Sequence, residues 1–335
     1  EGSRFYYASL PFSQKIYGQA FPWSFLHPSR YLLMSIPFLF GALPLWVHRG
    51  WQIFLWISLT ALGCAAILKR FKLNDRLKAA TFLAWCFVFF MQAPIYYHLM
   101  VCAILVLWGF DVKRTKKSLF FIILASLWAG ISRVNWFPLP TALAILLYTL
   151  EKPFNRKDGI WKYIREPILF VVLGLGASLL SQAAYIPISG NQDAALFTTS
   201  FTADLLWYRL LPSPTYPVGI LTGLLLLTSP LIILLAINFQ SMFKSLHWVR
   251  RLIVLGILLV FLFGGLVVSV KIGGGSNLHN LDAFLLLSTV FCSYLVFDRI
   301  EKDAFTVHLP ASMPSYLTII LVLVPVCWSV FNWEP

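Results

Sequence analysis

Residues 217–238 and 252–270 each run the length of a bilayer crossing without one charged side chain. Such runs recur along the whole chain, at roughly 30–46, 50–68, 79–93, 96–110, 118–131, 135–150, 168–186, 217–238, 251–270, 281–297 and 315–332. In lipid every backbone N–H and C=O must be paired within the spanning structure, which leaves helices and closed β-barrels. Barrel strands read as short segments of alternating hydrophobicity, whereas these runs are continuous. The expected fold is therefore all-α: a polytopic transmembrane helical bundle of about 10–11 hydrophobic segments, forming one domain over residues 1–335. Charged residues make up only 12% of the chain, where a soluble domain carries about a quarter. Several runs are shorter than the ~20 residues of an untilted span. The first of them, 30–46, contains Pro37 and Pro44 and is expected to be bent or only partly inserted.

Lysine and arginine outnumber the acids 26 to 13, for a net charge of +13. The excess collects in the connections 69–78 (KRFKLNDRLK), 111–117 (DVKRTKK), 151–167 (EKPFNRKDGIWKYIREP) and 239–251. These alternate with connections poor in Lys and Arg at 92–98, 132–136, 187–216 and 271–282. Positive-inside bias explains that pattern, places the first set in the cytoplasm and the second outside, and excludes a nucleic-acid partner. Residues 1–29 and 187–216 then read as outer loops. Cys64, Cys86, Cys102, Cys292 and Cys327 lie inside apolar runs without ligand spacing, and read as small buried hydrophobes. The opening Glu1-Gly-Ser-Arg has no methionine, and the chain is expected to be truncated at its N-terminus.

Acids on the outer side are few: Glu1, Asp193, Asp204, Asp282 and Glu334. A general base there comes from this set or from His27, His98 or His279. Ser132-Arg133-Val-Asn135-Trp136 interrupts a long apolar stretch. An arginine at that depth either snorkels from a plain turn or serves a site. The stretch 201–217 reads as an amphipathic helix on the outer leaflet or as a loop covering a substrate, and Arg209 lies in it. Arg30 belongs to the aromatic N-terminal stretch, which is either an interfacial loop or an anion-receiving vestibule. In 271–282 (KIGGGSNLHNLD), three glycines allow the backbone to approach an anion beside Lys271. Asn277, His279 and Asn280 add hydrogen-bonding groups suited to sugar hydroxyls or phosphate. A flexible turn is the alternative. No zinc spacing, Walker motif, nucleophile elbow or paired-acid DxD motif is present, so no metal or other cofactor is expected.

The segments HPSRYLLMSIPFLFGALPLWVHRGWQ, GISRVNWFPLP and VKIGGGSNLHNLDAFLLL, in this order and spacing, resemble the GT-C glycosyltransferases. The resemblance is to the bacterial dolichyl-phosphate-mannose-protein mannosyltransferase-like group. It implies inverting transfer of a sugar from a polyprenyl-phosphate donor to a lipid, glycan or protein acceptor. It also implies the outer face of a bacterial inner membrane as the place of transfer. A catalytic carboxylate is expected at Glu1 or just before it, with Asp282 a second candidate. Lys271 and Arg133, then Arg209 and Arg30, are the expected donor-phosphate ligands. His98, Asn135, Asn277, His279 and Asn280 are the expected sugar or acceptor contacts. His98 stands where relatives place an acid, which implies a metal-independent version. Two other readings stay open: a transporter or flippase for a lipid-linked or anionic substrate, and a non-catalytic membrane subunit. The last predicts that no pocket joins residues 1–30 to 271–282.

Overall fold

A computed structural model describes residues 2–41, 43–93, 95–191, 194–198, 202–214, 217–271 and 278–303, together with 323, 324, 327 and 331. Among the described residues the regular elements are helical. In chain order they are α1 (Gly2–Ser9), α2 (Ser13–Tyr17), α3 (Pro28–Met34), α4 (Leu45–Phe71), α5 (Arg76–Gln92) and α6 (Tyr97–Gly109). There follow α7 (Thr115–Gly130), α8 (Leu139–Glu151), α9 (Gly159–Ile188), α10 (Ile220–Ser245), α11 (Trp248–Lys271) and α12 (Asp282–Val296). Among the described residues, five helical stretches are long and apolar enough to cross a bilayer: Leu45–Phe71, Arg156–Ile188, Ile220–Ile237, Trp248–Lys271 and Leu278–Val296. The chain is a multi-pass, all-α membrane bundle.

The ten or eleven apolar runs are not equivalent. Helices α6 and α8 have 13 residues each, about 20 Å at ~1.5 Å per residue and short of a ~30 Å hydrocarbon core. They need not match the bilayer, because protein surrounds them: Leu139–Leu150 of α8 are all buried. Helix α12 shares the centre, with 83% of its span buried, against 22–44% for the other four. Those four turn Leu, Ile, Val and Phe side chains outward toward lipid.

The 30–46 run is broken, as its prolines predict. After α3 comes a 3-10 turn, Ile36–Phe40, then Gly41 at φ 97° and an extended Pro44, which opens α4. Residues 2–29, part of the stretch 1–29 expected as a loop, are largely helical and lie at the bundle end where α9 finishes. Trp23 N–H donates to Ser189 O, the Tyr185 hydroxyl donates to Ser24 O, and Asn191 Nδ2 donates to Trp23 O. Among the described residues of 203–214 the regular element is a 3-10 turn, Trp207–Leu210, where an amphipathic helix was one expectation for 201–217. Pro212, Pro214 and Pro217 remove the donors a longer helix needs. The 315–332 run falls almost wholly outside the described residues.

Two intramembrane prolines are accommodated by hydroxyls. Pro167 in α9 has no N–H for the Tyr163 carbonyl, and the buried Tyr148 hydroxyl of α8 donates to that oxygen at 2.9 Å. Pro230 in α10 similarly releases Leu226 O, which accepts from Ser229 Oγ at 2.8 Å. Tyr148→Phe is therefore expected to leave a buried carbonyl unpaired and cost about 1–3 kcal/mol. Thermal unfolding in detergent checks this as a lowered Tm. Helices α7 and α9 approach through small residues. A Cβ on Gly130 would lie 2.2 Å from Ser178 O, and Ser178 and Ser181 hydroxyls donate to Ser126 O and Leu127 O.

The antiparallel order sorts the connections onto two ends, as the charge alternation predicts. The basic end is pinned by two arginines, Arg70 half-buried and Arg250 fully buried. Arg70 contacts Glu151, Tyr294 and the carbonyls of Leu107 and Phe110. Arg250 donates to Thr149 O, Glu301 O and Asp303. The opposite end gathers residues 19–30, 92–98, 131–138 and 278–282.

Candidate functional site

At that second end four short segments converge on the ring of Tyr96. The start of α6 supplies Tyr96 and His98. The 3-10 turn Val134–Trp136 and its preceding residue supply Arg133 and Trp136, and the 3-10 turn Leu278–Leu281 supplies His279 and Asn280. His27 and Arg30 come from the start of α3. Ring centres of His27, His98 and His279 lie 5.9, 5.2 and 5.5 Å from that of Tyr96. The Arg133 and Arg30 guanidinium carbons lie 5.6 and 5.9 Å from the same ring, within cation–π range. The segments are tied by Ser29 N–H donating to Ile131 O at 2.8 Å and by the Ser132 hydroxyl meeting Ser29 Oγ at 2.6 Å.

Arg133 is oriented from three sides. Its Nη2 donates to Asn280 Oδ1 at 2.6 Å, its Nη1 reaches His279 O at 3.5 Å, and the same Nη1 stands 3.9 Å from Asp282 Oδ2. The last distance is an ionic contact, too long for a hydrogen bond. Asp282 itself is fully buried. Its Oδ1 accepts from Trp136 Nε1 at 3.0 Å and from Ala283 N–H at 2.8 Å, and its Oδ2 has no hydrogen-bond donor among the described residues. Asp282 therefore lies behind Arg133 and fixes the register of the turn against α12.

Beside this cluster is a cavity of about 410 Å³. Its polar part is formed by His27, Ser132, Arg133, Asn135, Lys271 and Asn280. Its apolar part runs along α11 through Val260, Phe261, Gly264, Val267 and Val268, facing Phe25, Tyr185 and Phe197. The cavity joins the N-terminal segment to Arg133 and to both flanks of the 271–282 turn. That junction is what the subunit reading predicts against.

The expected site residues divide accordingly. Lys271, Arg133, Asn135 and Asn280 line the cavity. His279 and Arg30 sit behind it on the Tyr96 platform. His98 is fully buried, with neither ring nitrogen meeting a hydrogen-bond partner among the described residues, and its backbone carbonyl accepts from Trp128. Arg209 lies at the end of α11, its Nη1 3.5 Å from Val270 O, and does not line the cavity. Asp282 does not line it either, which removes it from contact with a ligand there. Glu1 and Asn277 lie outside the described residues. Tyr96, Trp136 and the α11 trough were not singled out from sequence; a tyrosine or a glycine inside an apolar run carries no signal of its own.

His27 is flanked by the guanidiniums of Arg133 and Arg30. Loss of water first, then these charges, press its imidazole from the ordinary 6.5 down to about 3, so it is neutral at pH 7. Among the described residues no cluster of His, Cys, Asp and Glu has the grouping of a metal centre. Comparison with known protein families, with curated proteins and with solved structures finds no match for this chain.

Proposed function

We propose that the chain is a membrane glycosyltransferase that takes its sugar from a polyprenyl-phosphate donor at the outer face of a bacterial inner membrane. One observation carries the reading: the cavity combines a cationic, hydrogen-bonding head with a hydrocarbon trough between helices. Arg133 and Lys271 suit a lipid phosphate, Asn135 and Asn280 suit hydroxyls, and Gly264 with its valine neighbours leaves a channel for a prenyl chain. The resemblance of residues 27–52, 130–140 and 270–287 to GT-C enzymes agrees with this reading. So does the positive-inside pattern, which puts the site outside. Arg133 would balance charge on the departing phosphate, held in aim by Asn280, Asp282 and Tyr96. A lipid, glycan or protein hydroxyl is the acceptor class.

A second reading, a flippase or carrier for a lipid-linked anion, is favoured by the outer-side acids among the described residues, neither of which lines the cavity: Asp282 is tied to Trp136 and Ala283, and Asp204 is exposed.

The test uses the trough. Nothing lies within 4 Å of a Cβ built on Gly264, whereas one on Gly265 would stand 2.6 Å from Leu281 Cδ2. Gly264→Trp is therefore expected to fold and to block the channel. In proteoliposomes given undecaprenyl-phosphate-linked hexoses and pentoses, wild type should transfer labelled sugar and Gly264→Trp should not. Equal transfer by both would remove the trough from the site, and movement of donor across the bilayer without transfer would select the carrier.

A further inference from the structure

We propose that His27 is the base that takes the proton from the acceptor hydroxyl, an inference that rests on the transferase reading. His27 lines the cavity together with Arg133, Asn135, Lys271 and Asn280. Its backbone is left-handed, at φ 50° and ψ 52°, a region non-glycine residues seldom enter. The surroundings hold it there: its carbonyl accepts from Arg30 N–H at 3.0 Å, and Pro28 fixes the first residue of α3. Backbone strain kept in place at a cavity wall is commonly associated with function. The imidazole packs 5.9 and 6.0 Å from the rings of Tyr96 and His98, and its Nδ1 is buried without a partner among the described residues. Asp282, the buried carboxylate of this end, is spent on Trp136, Ala283 and the orientation of Arg133.

The proton balance is simple. The acceptor oxygen bonds to sugar C1 while the bond from C1 to the phosphate oxygen breaks. The electron pair of the broken bond stays on the phosphate, beside Arg133. The hydroxyl proton passes to a His27 ring nitrogen and then to solvent, and the anomeric centre is inverted.

Charge links this step to donor binding. The groups facing His27 are Arg133 from the turn before α8, Arg30 from α3, His279 from the turn before α12, and the neutral rings of Tyr96 and His98. The two arginines oppose a proton on the imidazole. A lipid phosphate seated at Arg133 and Lys271 cancels part of that field, so His27 gains basicity once the donor is in place.

His27→Asn is the informative variant, because asparagine tolerates the left-handed backbone and cannot serve as a base. With the full chain in nanodiscs and undecaprenyl-phosphate-linked sugars as donors, His27→Asn is expected to lower the transfer rate about 100-fold or more. Binding of undecaprenyl phosphate should be unchanged, and added imidazole should restore part of the rate. The wild-type rate should fall as pH is lowered, and the residual rate of the variant should lack that acid limb. Transfer by His27→Asn at the wild-type rate overturns the assignment and leaves the transferase reading standing. Loss of undecaprenyl phosphate binding in the variant, or no rescue by imidazole, also overturns it, making His27 a structural residue. No transfer by wild type from any of these donors overturns the transferase reading, and the assignment falls with it.

Discussion

Asp303→Ala is expected to destabilise the bundle by about 3–5 kcal/mol, because it strands a buried cation. Arg250 is fully buried at the start of α11, and Asp303 is its only carboxylate partner among the described residues, at 2.9 Å. The same carboxylate accepts from the backbone N–H groups of Phe154 and His247 at 2.5 and 2.6 Å. It thus joins the connection after α8, the start of α11 and the segment after α12. Removing it leaves two amides and a guanidinium with less acceptor capacity than they need. Arg250→Ala alone should cost less than Asp303→Ala, because a carboxylate nearer the surface can turn to water. Unfolding in detergent, followed by tryptophan fluorescence for both variants, checks the order. Equal stability of Asp303→Ala and wild type would mean that the staple carries no net energy.

This staple was invisible in the sequence, and the reason is physical. Arg250 and Asp303 are 53 positions apart; Arg250 sits in a basic connection and Asp303 in the mixed-charge segment 298–303, and charges in both are expected to be solvated. Legible features were those set by local chemistry. Uninterrupted apolar runs specified helices, Pro37 and Pro44 specified the break before α4, and Lys/Arg-rich connections specified which helix ends lie together. Asp75 capping Leu77 and Lys78 N–H at the start of α5 is of the same local kind. Helix burial was legible only in part: the span that holds α12 is less apolar than the lipid-facing α11, whereas α8 gives no such sign and is buried by its neighbours. The candidate site was legible in part. Arg133, Asn280 and Lys271 stand out because polar groups in apolar surroundings need a reason. Tyr96 and the glycine-lined trough acquire meaning only once four segments converge.

On the transferase reading, Arg133→Ala should lower sugar transfer by about 10²–10³-fold, the range for removing one preorganised donor from a charge-developing site. The guanidinium is held by its surroundings. Asn280 Oδ1 and His279 O hold one edge, Tyr96 and Trp136 meet it through their rings, and Asp282 supplies a weak ionic contact from behind. These contacts fix direction while leaving Arg133 on the cavity wall. Arg133→Lys keeps the charge but cannot reproduce the planar fork, so it should recover only part of the loss. Lys271, a single ammonium at the cavity edge, should matter less: Lys271→Ala is expected to raise the donor concentration needed more than it lowers the maximal rate. Asp282→Asn retains the shape of the turn and removes the charge behind Arg133. If Asp282 acts through Arg133, Asp282→Asn should reduce transfer in the wild-type background and have little further effect on Arg133→Ala. Independent, additive losses in the double variant would instead give Asp282 a role of its own in the reaction.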